Sequence, residues 1–184
     1  MKLSVFSGLS VDGFIARLNH DLDFLPAGGG EDHGYDEFFA SVDAVVMGRN
    51  SFDKVLTFEL WPYGDKPVFV LTRRPGAGAA PAGAPVEFLS GSPEEIVAQL
   101  RGHGFEHLYI DGGITVQRFL RAGLIERLVV TRVPVLIGEG IPLFGPLAAD
   151  VRLRHVRTSS FPSGLVQSEY TIEPQAPPLL AQHR

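Results

Sequence analysis

Four short stretches hold residue types suited to binding a charged ligand. Gly48-Arg49-Asn50-Ser51 follows the apolar run 44–47. A strand that stops at a glycine and turns into a helix leaves backbone N–H groups free, and Arg49 sets a fixed positive charge beside them. Thr72-Arg73-Arg74 closes the apolar run 67–71, Gly112-Gly113-Ile114-Thr115 follows Asp111 at the end of 107–110, and Gly138-Glu139-Gly140 lies in a later loop. Ligands of open α/β sheets bind outside the carboxyl ends of the strands, where all four stretches fall if those strands are parallel. Phosphate-holding turns beside a pair of arginines suit a dinucleotide carrying an extra 2′-phosphate, for which an Arg replaces the usual acidic ribose partner. Each stretch also has a plainer account, an ordinary strand–helix turn or a solvated arginine.

The elements that must position these stretches alternate along the chain. Residues 3–9 read as a strand, Ser10-Val11-Asp12-Gly13 as a tight turn, and Phe14-Ile15-Ala16 as a resumed apolar run. Residues 19–30 form a loop with an apolar centre, Leu22 to Pro26, and a possible hinge in Gly28-Gly29-Gly30; a lid and a simple connection both fit. Apolar spacing over 31–41 predicts a helix with Tyr35, Phe38, Phe39 and Val42 on one face and Glu31, Asp32 and Asp36 in its first turns. Strands follow at 44–47, 66–71, 85–89 and 107–110, with helices opening at 49, 93 and 115. Ser92, Pro93 and Glu95 make a capping box. This alternation predicts a mostly parallel sheet with right-handed crossovers. The end differs: a long strand over 125–135, then two alternating segments, 151–160 and 165–173, that read as an antiparallel hairpin at the sheet edge. Residues 175–184 read as a disordered tail after one domain spanning 1–174.

Composition narrows the function classes. A chain of 184 residues with 45% hydrophobic and 20% charged residues supports one globular core. No apolar run reaches the ~18 residues of a membrane span, and the N-terminus is too alternating for a signal peptide. The absence of cysteine removes disulfides and thiolate chemistry and fits a cytoplasmic protein. A net charge of −5 argues against nucleic acid or an anionic membrane as partner. Gly-x-Gly-x-x-Gly, the Walker loop, the Gly-x-Ser-x-Gly elbow and paired-histidine zinc spacings are all missing, so no metal is expected.

Taken in order, Ser10-Val11-Asp12-Gly13-Phe14-Ile15-Ala16, Val46-Met47-Gly48-Arg49, Leu71-Thr72-Arg73, Asp111-Gly112-Gly113 and Pro134 to Gly138 followed by Leu143-Phe144 resemble the dihydrofolate reductase-like superfamily. The nearer branch is the reductase domain of the bifunctional riboflavin-biosynthesis deaminase–reductase, a 5-amino-6-(5-phosphoribosylamino)uracil reductase, with its stand-alone relatives. The resemblance spans residues 3–173. It implies an α/β fold with a mostly parallel central sheet, flanking helices and an antiparallel edge.

The resemblance also implies NADPH as cofactor. Gly48, Arg49 and Ser51 with Gly112, Gly113, Ile114 and Thr115 would line its phosphates, Thr72 and Arg73 would meet the 2′-phosphate, and Ala16 would lie beside the nicotinamide. In relatives Gly112 and Gly113 can be joined by a cis peptide. Family spacing offers Asp32 as the proton-donating acid with Tyr35 on the same face; Asp12 is the alternative, with Ser10 beside the substrate. The implied activity is hydride transfer to a small pterin-like, pyrimidine-like or carbonyl substrate. The competing readings are a catalytically silent NADP-binding protein and a dimeric structural module. The missing deaminase domain points to a substrate other than the riboflavin intermediate, or to a separate deaminase. A homodimer is expected, since the apolar edge strand 128–135 is costly to leave bare.

Overall fold

The computed structural model describes residues 1–26, 32–74 and 80–173. The strands are β1 (Lys2–Ser10), β2 (Phe14–Ala16), β3 (Ala44–Gly48), β4 (Val68–Leu71), β5 (Val86–Leu89), β6 (His107–Asp111), β7 (Arg127–Val133), β8 (Ile141–Pro142), β9 (Leu153–Ser160) and β10 (Val166–Ile172). The helices are α1 (Tyr35–Ala40), α2 (Arg49–Val55), α3 (Pro93–Gly102) and α4 (Gly113–Arg121). Eight strands form one sheet in the order β5-β4-β3-β6-β1-β7-β10-β9. The first six are parallel; β10 runs antiparallel to β7, and β9 antiparallel to β10. The expected mixed α/β sheet with a C-terminal antiparallel hairpin is what the chain forms.

Why these runs become central strands follows from burial on both faces. In β3 every residue from Ala44 to Met47 is fully buried. Alternate side chains feed two cores, Ala44 and Val46 on the α3–α4 side, Val45 and Met47 on the α1–α2 side. Phe119, Ile96 and Leu100 fill the first core, and Phe38 and Phe52 the second. Each such fully buried side chain contributes about 1.5–3 kcal/mol against exposure. The Ser92–Glu95 capping box starts α3: Glu95 N donates to Ser92 Oγ at 3.2 Å, and Ser92 N donates to Glu95 Oε2 at 2.7 Å.

Three expectations need correction. The strand 125–135 is not an edge: β7 is hydrogen-bonded to β1 on one side and β10 on the other, so the bare strand that argued for a dimer is covered within the chain. The helix expected over 31–41 begins only at Tyr35, because Gly34 precedes it at φ 74, ψ 17, a left-handed conformation that breaks the helical path. Asp32 therefore stands outside the helix. The Gly112–Gly113 peptide is trans. The proposed Gly28–Gly30 hinge, residues 75–79 of the loop after Arg74 and the tail 175–184 lie outside the described residues. No helix among the described residues is long and apolar enough to cross a membrane.

Candidate functional site

The site sits where β3 and β6, neighbours in the sheet, each turn into a helix. Gly48 precedes α2 and Gly112 precedes α4, and neither helix start has a side-chain cap. The two turns interlock. A Cβ on Gly48 would stand 2.9 Å from Thr115 Oγ1, and one on Gly112 would stand 2.2 Å from Ser51 Oγ. Each turn thus puts a hydroxyl where the other lacks a side chain. Gly112 also holds φ 85, ψ 138, open only to glycine. The short β2–β8 sheet closes in from the side: a Cβ on Gly113 would meet the Pro142 carbonyl at 2.7 Å, and one on Gly140 the Ala16 carbonyl at 2.5 Å.

Around this junction lies a cavity of about 670 Å³. Its floor is Gly48–Ser51, Asp111–Thr115 and the middle of β1, Phe6 to Gly8. Leu18, Leu22 and Leu25 line it from the loop after β2, and Phe58 from beyond α2. The apolar loop centre thus packs over something after all: a Cβ on Gly8 would touch Leu25 Cδ2 at 3.2 Å. Two ion pairs hold that loop, Arg17 Nε to Asp23 Oδ1 at 2.6 Å and Lys54 Nζ to Asp21 Oδ1 at 2.9 Å, the second reaching α2. An adjoining compartment of about 390 Å³ is lined by Thr72, Arg73, Ser90, Gly91 and Ser92, and shares Leu71 and Arg118 with the first.

The structure brings together most of the residues singled out in the sequence. Ala16, Gly48, Arg49, Ser51, Gly112, Gly113, Ile114 and Thr115 line the larger cavity, and Thr72 and Arg73 the smaller. Four others lie elsewhere. Asp32 Oδ1 accepts the N–H of Gly34 at 2.7 Å in a local turn. Asp12 ties two loops, accepting from Gly138 N at 2.8 Å and Ile137 N at 3.2 Å. The Ser10 hydroxyl, then those N–H groups, hold the Asp12 carboxyl below the usual range, the opposite of what a proton donor needs. Ser10 is fully buried and bonds the Phe14 backbone, and Tyr35 reaches the cavity only through the Phe6 ring, 5.4 Å away. Gly138-Glu139-Gly140 braces β2 rather than facing the cavity.

One acid does face it. Asp111, the last residue of β6, is part-exposed to the cavity and otherwise enclosed by protein. Among the described residues its side-chain hydrogen bond is a long one, 3.5 Å from the Tyr109 hydroxyl, which already donates to the Phe6 carbonyl at 2.9 Å. Desolvation raises the Asp111 carboxyl above the usual range; the Gly112 N–H and Tyr109 act the other way and do not cancel it. Burial, and then the Asp111 charge, push up the phenols of Tyr63, Tyr109 and Tyr35, the last to about 12. A signal for Asp111 was in the sequence: it is the acid at a buried strand's carboxyl end.

An uncapped, glycine-lined junction, flanked by Arg49, Arg118 and Arg73, fits a doubly anionic dinucleotide. Asp111 beside it can hold and release a proton. Over 164 residues the chain is 33% identical to the uncharacterized protein YwjB of Bacillus subtilis (strain 168), covering 87% of this chain and 92% of that one. Among solved structures it is similar to a putative riboflavin biosynthesis protein from Shewanella sp. PV-4, with TM-score 0.85, 38% identity and coverage of 95% of this chain and 100% of that one. A dihydrofolate reductase from Enterococcus faecalis, complexed with NADP(H), shares the fold at TM-score 0.64 and 20% identity, over 94% and 97% of the two chains. Residues 1–167 match the RibD C-terminal domain, and the chain belongs to that family.

Proposed function

We propose that this protein is an NADPH-dependent reductase of a small heterocyclic or carbonyl compound. The observation that carries the reading is the pair of interlocked glycine turns opening onto a cavity with a cationic compartment on one side and a buried acid at its floor. Family membership and the NADP(H) complex of a protein of the same fold support it. The N–H groups at Gly48–Ser51 and Gly112–Thr115, with Arg49 and Arg118, hold the pyrophosphate. Thr72 and Arg73 hold the 2′-phosphate in the smaller compartment; Thr72 Oγ1 accepts Arg74 N at 3.1 Å, which sets the turn that presents Arg73. Ala16 and Ile15 form a flat wall for the nicotinamide.

When bound, the cofactor supplies the hydride. The protein's part is to exclude water and place one proton. Leu18, Leu22, Leu25 and Phe58 line the substrate side. Asp111, whose carboxyl its enclosure raises above the usual range, delivers a proton from its carboxyl oxygen to the nitrogen or oxygen of the reduced double bond. Such a positioned acid is worth about 10²–10⁴ in rate. Calorimetry tests the reading: NADPH saturates the wild-type protein, and Arg73→Ala weakens NADPH by about ten- to a hundredfold while leaving NADH nearly unchanged. Absence of NADPH binding would remove the reductase proposal, and equal weakening of both cofactors would remove Arg73 from its role.

A further inference from the structure

We infer that the substrate end of the cavity takes a flat, uncharged ring bearing no phosphate or carboxylate, so the phosphoribosyl group implied by the riboflavin branch is not accommodated. This rests on the reductase reading and concerns the part of the cavity left to the substrate.

The argument is one of charge pairing. Among the described residues, three Lys or Arg side chains reach the larger cavity: Arg49, Lys54 and Arg118. Lys54 Nζ lies 2.9 Å from Asp21, and Arg49 Nε lies 2.7 Å from Asp53. Arg17, at the base of the loop lining the cavity, is matched at 2.6 Å by Asp23. Arg118 alone of the three bonds a neutral acceptor, the Gly91 carbonyl at 2.9 Å, and it stands on the side shared with Arg73. Arg49, in the Gly48–Ser51 turn, and Arg118 therefore belong to the cofactor side, and Lys54, already paired with Asp21, is the cation left toward the substrate. Towards the substrate the cavity offers Asp111, the Tyr63 and Tyr109 rings, His20, and apolar surface from Phe6, Leu22 and Leu25.

A phosphate placed there would lose water, meet the Asp21 carboxylate beside Lys54, and find, among the described residues and outside the cofactor side, no cation that lacks an anionic partner. A planar ring loses little water, packs on Phe6 and Leu25, and turns a ring nitrogen or carbonyl toward Asp111. Phe58 and Leu18, 43% and 61% exposed, extend the apolar wall where a charged tail would have to pass.

The test uses the NADPH-saturated protein at pH 8, above the ordinary titration range of imidazole. Two matched pairs are titrated by calorimetry: uridine against uridine 5′-monophosphate, and a dihydropterin with a hydroxylated side chain against its terminal phosphate. The expected result is binding of at least one unphosphorylated member, with its phosphate weaker by about tenfold or more. Equal or tighter binding of the phosphates overturns the inference. So does failure of all four on protein that binds NADPH, an outcome that leaves the cofactor reading standing. Failure of NADPH itself removes that reading and takes this inference with it. Asp21→Asn, on a solvent-exposed loop, frees Lys54 of α2; it should recover phosphate binding by about tenfold without changing the ring's affinity. An unchanged ratio would show exclusion by shape and overturn the charge argument.

Discussion

The two ends of the parallel strands use the same residue types and reach opposite states. At the amino end, the Asp43 carboxylate accepts the N–H groups of Glu106 and His107, both at 2.7 Å. His107 bridges Ser4 Oγ and the Ser41 carbonyl, each at 2.8 Å. Burial alone would raise the Asp43 carboxyl, but those two N–H bonds outweigh it and hold it low. At the carboxyl end, Asp111 has the Gly112 N–H and a long contact at 3.5 Å from the Tyr109 hydroxyl, and burial outweighs both. A closed network fixes structure, whereas an acid left short of donors beside a cavity holds its proton more tightly than a solvated one and is placed to give it away. The same contrast separates the glycines: those at Gly48 and Gly112 are needed because something already fills their Cβ space, while Gly102 has nothing within 4 Å of that position.

The contrast breaks most severely at Gly112. Gly112→Ala drives a methyl into Ser51 Oγ and forces an L-residue to φ 85, so NADPH affinity should fall by more than about a thousandfold, with a stability loss of about 1–3 kcal/mol; calorimetry and thermal melting read the two. Retained affinity would show that the turn does not grip the cofactor.

Asp111→Asn should come next. Turnover should drop by about 10²–10³-fold, while NADPH affinity changes by less than about threefold. Because the folded pKa is raised, the active acid form prevails at low pH and is lost as pH rises through that value. The wild-type rate should therefore carry a basic limb that the Asn variant lacks. An unaltered profile in the variant would dismiss Asp111 as the donor.

The smallest effect belongs to the other end. Desolvation lowers the His107 imidazole, with the Ser41 carbonyl opposing it, so its neutral form is the folded one. Stability from this group is full above the ordinary range near ~6.5 and is lost as pH falls through the lowered folded value. His107→Gln should cost about 1 kcal/mol at pH 7.5 and flatten the loss of stability between about pH 7 and 5, seen by denaturant titration, with NADPH affinity untouched. A shift in cofactor affinity would mean that the two ends are coupled.

Much of this was legible before any coordinates. Runs such as Val45–Met47 and Val68–Leu71 are apolar without alternation, which only a strand covered on both faces tolerates, and the Ser92–Glu95 box marks its helix through local chemistry. Long-range facts were not legible. Whether β7 lies bare depends on β10 finding it from about forty residues away, as in Tyr170 against Leu128, and no local pattern states that pairing. Gly34 in a left-handed conformation cut the first helix short, although its neighbours keep helical spacing. Asp12 and Asp32 looked like candidate acids because residue type says nothing of which N–H groups a carboxylate will meet. Asp111 has no local mark that separates it from other acids at strand ends, since its enclosure comes from Tyr109 and the neighbouring strands rather than from its flanking residues.

The hydroxyls of Thr115 and Ser51, each lodged in the gap left by the opposite glycine, have an evolutionary corollary. Position 48 cannot enlarge alone: a side chain there demands shrinking residue 115 in the same lineage, whereas position 112, held at φ 85, stays glycine whatever stands at 51. Directed libraries at this junction would do best to randomise residues 48 and 115 as a couple and leave 112 fixed, since single-site scans will discard combinations that the fold can accept.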